Sequence, residues 1–301
     1  MCLKPVRLAL LLMAPACALL AISCSNGSST VPTSTDSAST AFTMKTIKYG
    51  PLTDNVADLR MPTGYGPFPV VILIHGGYWR EPYRRDLMDG LADDLTSRRY
   101  ATWNIEYRRT GTGSSGGSPN TFADVAAAID HLSVLARDLP LDLGRVAAIG
   151  HSAGGHLAAW AAGRVNLPEG TPGADPVVRP LVTVTLAGVL DLKAANALGL
   201  GGGAVDELLG AEASANPGLI AATSPIEMLP TDSRLTIVHG RSDFIVPQSQ
   251  SEAYHAAALA RGDSAELLLI DDADHFDVID PASRAWQSVA TRLIAHMPPG
   301  R

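Results

Sequence analysis

The segment Gly150-His151-Ser152-Ala153-Gly154 follows the pattern G-x-S-x-G. A serine hydroxyl is a weak nucleophile until a base takes its proton. In this pattern a sharp turn between a strand and a helix lifts the hydroxyl out of the backbone, and small flanking residues let strand and helix approach. An apolar run at 146–149 precedes the motif and an Ala-rich stretch at 152–163 follows it. The helix N-terminus then lies under the serine, where its partial positive charge favours a developing oxyanion. Gly113-Ser114-Ser115-Gly116-Gly117 fits the same pattern. No apolar strand leads into it and no helix starts at Ser115, so 110–120 reads as a Gly/Ser loop. Context selects Ser152.

Attack on a carbonyl places negative charge on its oxygen, and backbone N–H donors must meet it. Ala153, the residue after the nucleophile, supplies one donor. The second is expected from the loop after the strand at 70–74, which reads His75-Gly76-Gly77-Tyr78-Trp79. Gly77 is the preferred donor and Tyr78 the next. His75 comes too early in the chain for the order Ser, Asp, His and is assigned to shaping the glycine loop. His151 and His156 flank the nucleophile, and His156 is expected to pack or to face solvent.

A base and an acid must follow. The strand at 235–239 runs into His239-Gly240-Arg241-Ser242-Asp243, and the strand at 265–270 runs into Asp271-Asp272-Ala273-Asp274-His275-Phe276. His275 is the expected base, taking the serine proton and returning it to the leaving group. Asp243 is the expected acid, holding the imidazole tautomer and its positive charge. Asp271, Asp272 and Asp274 compete weakly, because close sequence neighbours of the base lack the reach. His296 is read as a surface residue near the end of the last helix. Tyr78, Trp79 and Tyr107 are candidates to shape a substrate pocket, with ordinary packing as the alternative. No His and Cys spacing suggests a metal.

These residues need elements to carry them. Strands are expected at 46–48, 57–60, 70–74, 101–105, 146–149, 181–186, 235–239 and 265–270. Helices are expected at 84–98, 121–137, 152–163, 249–261 and 282–296. Continuous apolar runs such as Val70-Val71-Ile72-Leu73-Ile74 fit strands covered on both faces. Alternating strands and helices indicate an α/β fold with a mostly parallel sheet. The stretches 164–180 and 191–225 are rich in Gly, Pro and Ala and read either as a cap or as surface excursions.

The chain has 301 residues, is 46% hydrophobic and carries a net charge of −7. That is enough apolar material for one large core. With no basic block, nucleic acid is excluded as a partner. Residues 1–23 read as a signal peptide: Lys4 and Arg7 precede an apolar run too short to span a membrane. Ala21-Ile22-Ser23-Cys24 resembles a bacterial lipobox, which predicts lipid on Cys24. Of the three cysteines, Cys2 and Cys17 lie in the signal, so Cys24 would be alone in the mature chain. The Ser/Thr-rich residues 24–44 read as a tether, and 45–298 as the catalytic domain. The expected location is outside the cytoplasm, on a membrane anchor.

The site residues together resemble the α/β-hydrolase fold, and within it the kynurenine formamidase-like esterases. His75 through Trp79 is similar to the HGGxW signature of that group, and Gly150 through Ala158 reads GHSAGGHLA. Gly188-Val189-Leu190-Asp191-Leu192 and His275-Phe276-Asp277 extend the resemblance over about 45–296. It implies a hydrolase free of metal and cofactor that uses Ser152, Asp243 and His275 on a small-molecule ester or formamide. An export signal sits badly with a formamidase of cytosolic tryptophan breakdown. A carboxylesterase for small acyl groups therefore leads. The arylformamide hydrolase is second, and a non-catalytic binding lipoprotein is the reading from another class.

Overall fold

The computed structural model describes residues 42–300, apart from 82 and 211–215. The signal segment, Cys24 and the tether up to residue 41 lie outside the described residues. Eight strands form one sheet in the order β1-β2-β4-β3-β5-β6-β7-β8. They are β1 Phe42–Lys48, β2 Val56–Pro62, β3 Phe68–Ile74, β4 Ala101–Ile105, β5 Leu141–His151, β6 Val182–Leu186, β7 Arg234–Gly240 and β8 Ala265–Ile270. β1 and β2 pair antiparallel, as do β2 and β4, and every other pairing is parallel. This is the α/β-hydrolase fold expected from the motifs.

Period-2 alternation along the central strand explains both layers. Val70, Ile72 and Ile74 of β3 enter one core with Phe122, Val125, Leu157 and Trp160, from helices α2 (Asn120–Asp130) and α4 (Ala153–Gly163). Val71 and Leu73 enter the other with Leu91, Leu95, Trp286 and Leu293. Those belong to α1 (Asp89–Ser97) and the last helix, α8 (Arg284–His296). Every residue of β3 is buried, as its unbroken apolar run requires. Helix α4 is buried along its whole length, and its Gly/Ala composition lets it lie close to the sheet.

Elsewhere the elements depart from expectation in detail. β1 starts at Phe42, inside the stretch read as tether. The helix expected from residue 84 opens with a 3-10 turn, Arg85–Met88, before α1. The helix expected over 121–137 breaks at His131 into α2 and the short α3 (Leu132–Leu135). The stretch 191–225 holds three short helices among its described residues: α5 (Leu192–Ala197), α6 (Ala204–Leu209) and α7 (Pro217–Thr223). Asp191 and Asn216 cap α5 and α7 by accepting backbone N–H bonds. A cavity of about 410 Å³ lies among them, lined by Lys193, Val205, Pro217 and Ile220 among others. None of its lining residues belongs to the predicted triad. Among the described residues no helix is long and apolar enough to cross a membrane.

Candidate active site

Strand β5 delivers Ser152 into a left-handed turn, φ 56° and ψ −118°, from which α4 starts at once. A non-glycine residue in that region is strained, and the surroundings must hold it there. They do so by close approach. A β-carbon on Gly150 would run into the carbonyl of Gly154, and one on Gly154 into the carbonyls of Ile74 and His75. The Ser152 N–H donates to the Leu186 carbonyl at 2.8 Å, tying the turn to β6. The two glycines of the motif are therefore the contact points of strand, helix and neighbouring loop.

The loops after β7 and β8 bring Asp243 to His275. His275 Nδ1 lies 2.7 Å from Asp243 Oδ2. The other carboxylate oxygen accepts the N–H groups of Ile245 at 2.8 Å and Val246 at 2.9 Å. Behind it, His239 Nε2 stands 3.4 Å from Oδ2 and 2.9 Å from the Val246 carbonyl. Burial raises the Asp243 pKa, but the hydrogen bonds from His239 and His275 outweigh it and hold the carboxyl well below the usual range. An ionised carboxylate there keeps hydrogen on Nδ1 of His275 and leaves Nε2 to accept a proton.

The competing residues are placed elsewhere. Asp271 pairs with Arg241, and Asp274 caps its own turn through the N–H groups of Phe276 and Asp277. His296 pairs with Glu266 at 2.9 Å. Ser115 is exposed on the loop between β4 and α2, and its carbonyl accepts from the Asn120 side chain.

The loop after β3 is bent by three successive positive φ angles, at Gly77, Tyr78 and Trp79. Among the described residues no acceptor meets the N–H groups of Gly77 and Tyr78. Ala153 is the first residue of α4, where a backbone N–H lacks an intrahelical partner. The candidate oxyanion donors thus remain available.

His75 anchors this loop from below. It stacks on Tyr107 at 4.3 Å, and its two nitrogens lie 2.8 Å from the Gly76 carbonyl and 2.8 Å from Glu106 Oε1. Both partners accept, so both bonds form only when both nitrogens carry hydrogen. Glu106 is fully buried with Arg109 Nη1 3.2 Å away. Burial raises its pKa, and His75 and Arg109 more than reverse that.

Trp79 and Tyr107 do not shape a pocket. Trp79 is 1% exposed and Tyr107 is fully buried. Trp79 donates to His156 Nδ1 at 3.1 Å, and His156 Nε2 donates to the Thr223 carbonyl at 2.8 Å. Tyr107 donates to the His75 carbonyl at 2.9 Å. Both brace the loop from behind. Tyr78 is half-buried, with its hydroxyl 3.3 Å from the Ile245 carbonyl beside the Asp243 turn. The sequence alone does not reveal the bracing partners Glu106, Arg109 and His239. Their only signal there is position, Glu106 just after β4 and His239 at the end of β7. Among the described residues no group of His, Cys, Asp and Glu is placed to hold a metal.

The sequence profile of the BD-FAE family matches residues 57–258. Esterase LipQ of Mycobacterium tuberculosis is 30% identical over 223 aligned positions, in a match that covers 70% of this chain and 51% of LipQ. The chain thus spans about half the length of that curated relative. A truncated carbohydrate esterase from gut microbiota superposes with a TM-score of 0.73 at 20% identity, covering 85% of this chain and 97% of that one. Esterase B of Lactobacillus rhamnosis gives 0.72 at 19% identity, covering 85% of each. A Thermogutta terrifontis esterase with butyrate bound gives 0.68 at 19%, covering 85% and 96%.

Proposed function

The chain belongs to the BD-FAE family, and from that premise we propose that it is a carboxylic ester hydrolase working through an acyl-enzyme on Ser152. Two observations carry the proposal: the 2.7 Å bond between His275 Nδ1 and Asp243, and Ser152 held at positive φ between β5 and α4. His275 takes the Ser152 proton as the hydroxyl attacks the ester carbonyl. The oxygen turns negative against the N–H groups of Ala153 and of Gly77 or Tyr78. The tetrahedral species collapses, His275 gives the proton to the departing alcohol, and the acyl group stays on Ser152. Water then attacks the acyl carbon with His275 as base; the bond to Ser152 Oγ breaks as His275 returns the proton to it, and the carboxylic acid leaves, with the same donors serving again.

The acyl group is small in this reading. The described residues of 192–223 form short helices, and a relative of the same fold holds butyrate. A channel for long chains would reward each added methylene by about 0.8 kcal/mol until full. The test is kcat/KM for acetyl, butyryl, octanoyl and palmitoyl aryl esters beside N-formylkynurenine. The optimum is expected at acetyl to butyryl. An octanoyl optimum would require a longer channel, and a preference for formylkynurenine would install the formamidase chemistry that the His75–Trp79 signature resembles.

The same proposal places the enzyme outside the cytoplasm with lipid on Cys24. It rests on the charged start, the apolar run and the lipobox-like Ala21–Cys24. Mass spectrometry of the mature N-terminus decides it: a lipid-modified Cys24 supports the anchor, and an unmodified thiol or a retained Met1 removes it.

A further inference from the structure

The residue before the nucleophile touches two catalytic loops at once. His151 is buried at the end of β5, and its Nε2 lies 2.8 Å from the backbone carbonyl oxygen of His275. A carbonyl only accepts, so Nε2 carries the hydrogen and Nδ1 a lone pair. That lone pair is buried and, among the described residues, has no donor. It faces Gly76: a β-carbon built there would stand 3.0 Å from Nδ1 and 3.0 Å from the Ser152 Cβ. The ring also packs on the His275 ring, with centroids 4.6 Å apart. Phe276 lies against both, at 5.9 Å from His151 and 5.3 Å from His275.

A phenyl ring would fill this space without a buried unsatisfied acceptor, whose desolvation costs about 1–3 kcal/mol. What the imidazole adds is one N–H, and that N–H is spent on the backbone of the base. We propose that His151 is a positioning residue: its N–H fixes the His275 backbone and its ring spaces that loop from Gly76, setting base and oxyanion donors in register with Ser152. The inference rests on the hydrolase reading above.

Its charge state suits the role. Burial, and after it the neighbouring His275, push the His151 pKa down to about 3. The charged or titratable groups that act on it are His275 and Asp243, from the loops after β8 and β7, and His75 after β3. His151 therefore stays neutral while His275 becomes positive, so the ring packed against the base adds no charge to oppose the proton transfer.

The test compares wild type with His151→Phe, which keeps a ring and loses the donor, and His151→Gln, which returns an N–H near Nε2. One readout is the far-downfield proton resonance of His275 Nδ1–H, held against Asp243. The other is kcat and KM on a short aryl ester, per site titrated with a serine-directed phosphonate, so that misfolded protein drops out. In His151→Phe the resonance should move or broaden and kcat fall on the order of a hundredfold, as for a misplacement of about 1 Å. KM should stay within about twofold, the pattern of a loss felt in the transition state. His151→Gln should recover most of both. If the phenylalanine variant yields no titratable sites, His151→Met removes the donor with a more adaptable side chain. A wild-type resonance and kcat without the donor overturns the proposal. So does a deficit that glutamine shares in full, since shape and not the N–H would then matter. If the wild type cleaves no ester but the resonance responds and recovers as described, the positioning role stands and the hydrolase reading falls.

Discussion

Trp79 donates its indole N–H to Nδ1 of His156 across 3.1 Å, and both side chains are buried. One belongs to the loop that carries the candidate oxyanion donors Gly77 and Tyr78, and the other to the helix that begins after Ser152. The far nitrogen of the same imidazole donates to Thr223 at the end of α7. The bond thus links three separate stretches of chain. Trp79→Phe keeps an aromatic ring but leaves Nδ1 of His156 without a donor. It should destabilise the protein by about 1–3 kcal/mol in urea unfolding, the range for a stranded buried acceptor. It should also lower kcat on a short ester. Unchanged values of both would mean that the ring alone holds the loop.

The two buried neutral histidines set an acid limit. Burial pushes His156 down to about 4, against the opposing bond to Thr223, and burial with His275 pushes His151 to about 3. Unfolded, each takes a proton near pH 6.5. Between about pH 6.5 and 4 the unfolded chain therefore binds more protons than the folded one, so stability rises with pH across that window. Each unit of displacement is worth about 1.4 kcal/mol, so the loss at pH 4 should be several kcal/mol. Asp243 and Glu106, whose folded values are lowered, add stability above their unfolded values and lose it at more acid pH. Denaturant titrations at pH 7, 5.5 and 4 measure the slope. His156→Gln should flatten it by up to one proton, and an unaltered slope would show that His156 is not among the groups responsible.

Ser152 is buried and held in a strained turn. At φ 56° the side chain sits where glycine suffers no β-carbon clash. Ser152→Gly should raise stability by about 1 kcal/mol through release of that strain, while abolishing hydrolysis. Ser152→Ala should be equally inactive without the gain. The pair separates the role of the hydroxyl from that of the turn, and a glycine variant less stable than the alanine one would show the turn to be unstrained.

Arg80, the residue after Trp79, reaches the other way. Its guanidinium pairs with Glu207 of α6 at 2.6 Å and donates to the Gly201 carbonyl at 2.7 Å. The pair is partly exposed and should contribute only about 0–1 kcal/mol. Arg80→Ala should therefore move the melting temperature little, yet expose the Gly199–Gly203 turn to limited proteolysis. Cleavage at the wild-type rate would show that α6 is held by its buried Leu208 and Leu209 instead.

Much of the architecture is legible in the sequence because buried parallel strands must be apolar throughout. All eight expected strands are present. β5 runs longer than its apolar part, because Phe68 and Pro69 pair with Leu141 and Asp142 ahead of a register shift. The short helices of 191–225 are hidden for a physical reason. At six or seven residues they depend on caps and local packing, which leave little hydrophobic period to read. The residues of the elbow and of the His275–Asp243 pair are legible because chain order and strand ends constrain them. What His151, Glu106 and His239 touch is not, since those contacts depend on where separate loops meet. Trp79 and Tyr107 show the same limit: an aromatic beside a catalytic loop can line its mouth or stand behind it, and only packing distinguishes the two.

The antiparallel register of the first two strands has a practical consequence. Lys48 pairs with Val56, and Ala57 with Ile105, at the end of the sheet where β3 runs into His75. Phe42 pairs with Pro62 at the other end, about 20 Å away along a seven-residue strand. Phe42, the first described residue, thus lies at the rim remote from Ser152. A surface, bead or fusion partner joined at Phe42 would hold the domain by its heel, at the end of the sheet opposite Ser152, so immobilisation there should leave the turnover of a short ester unchanged.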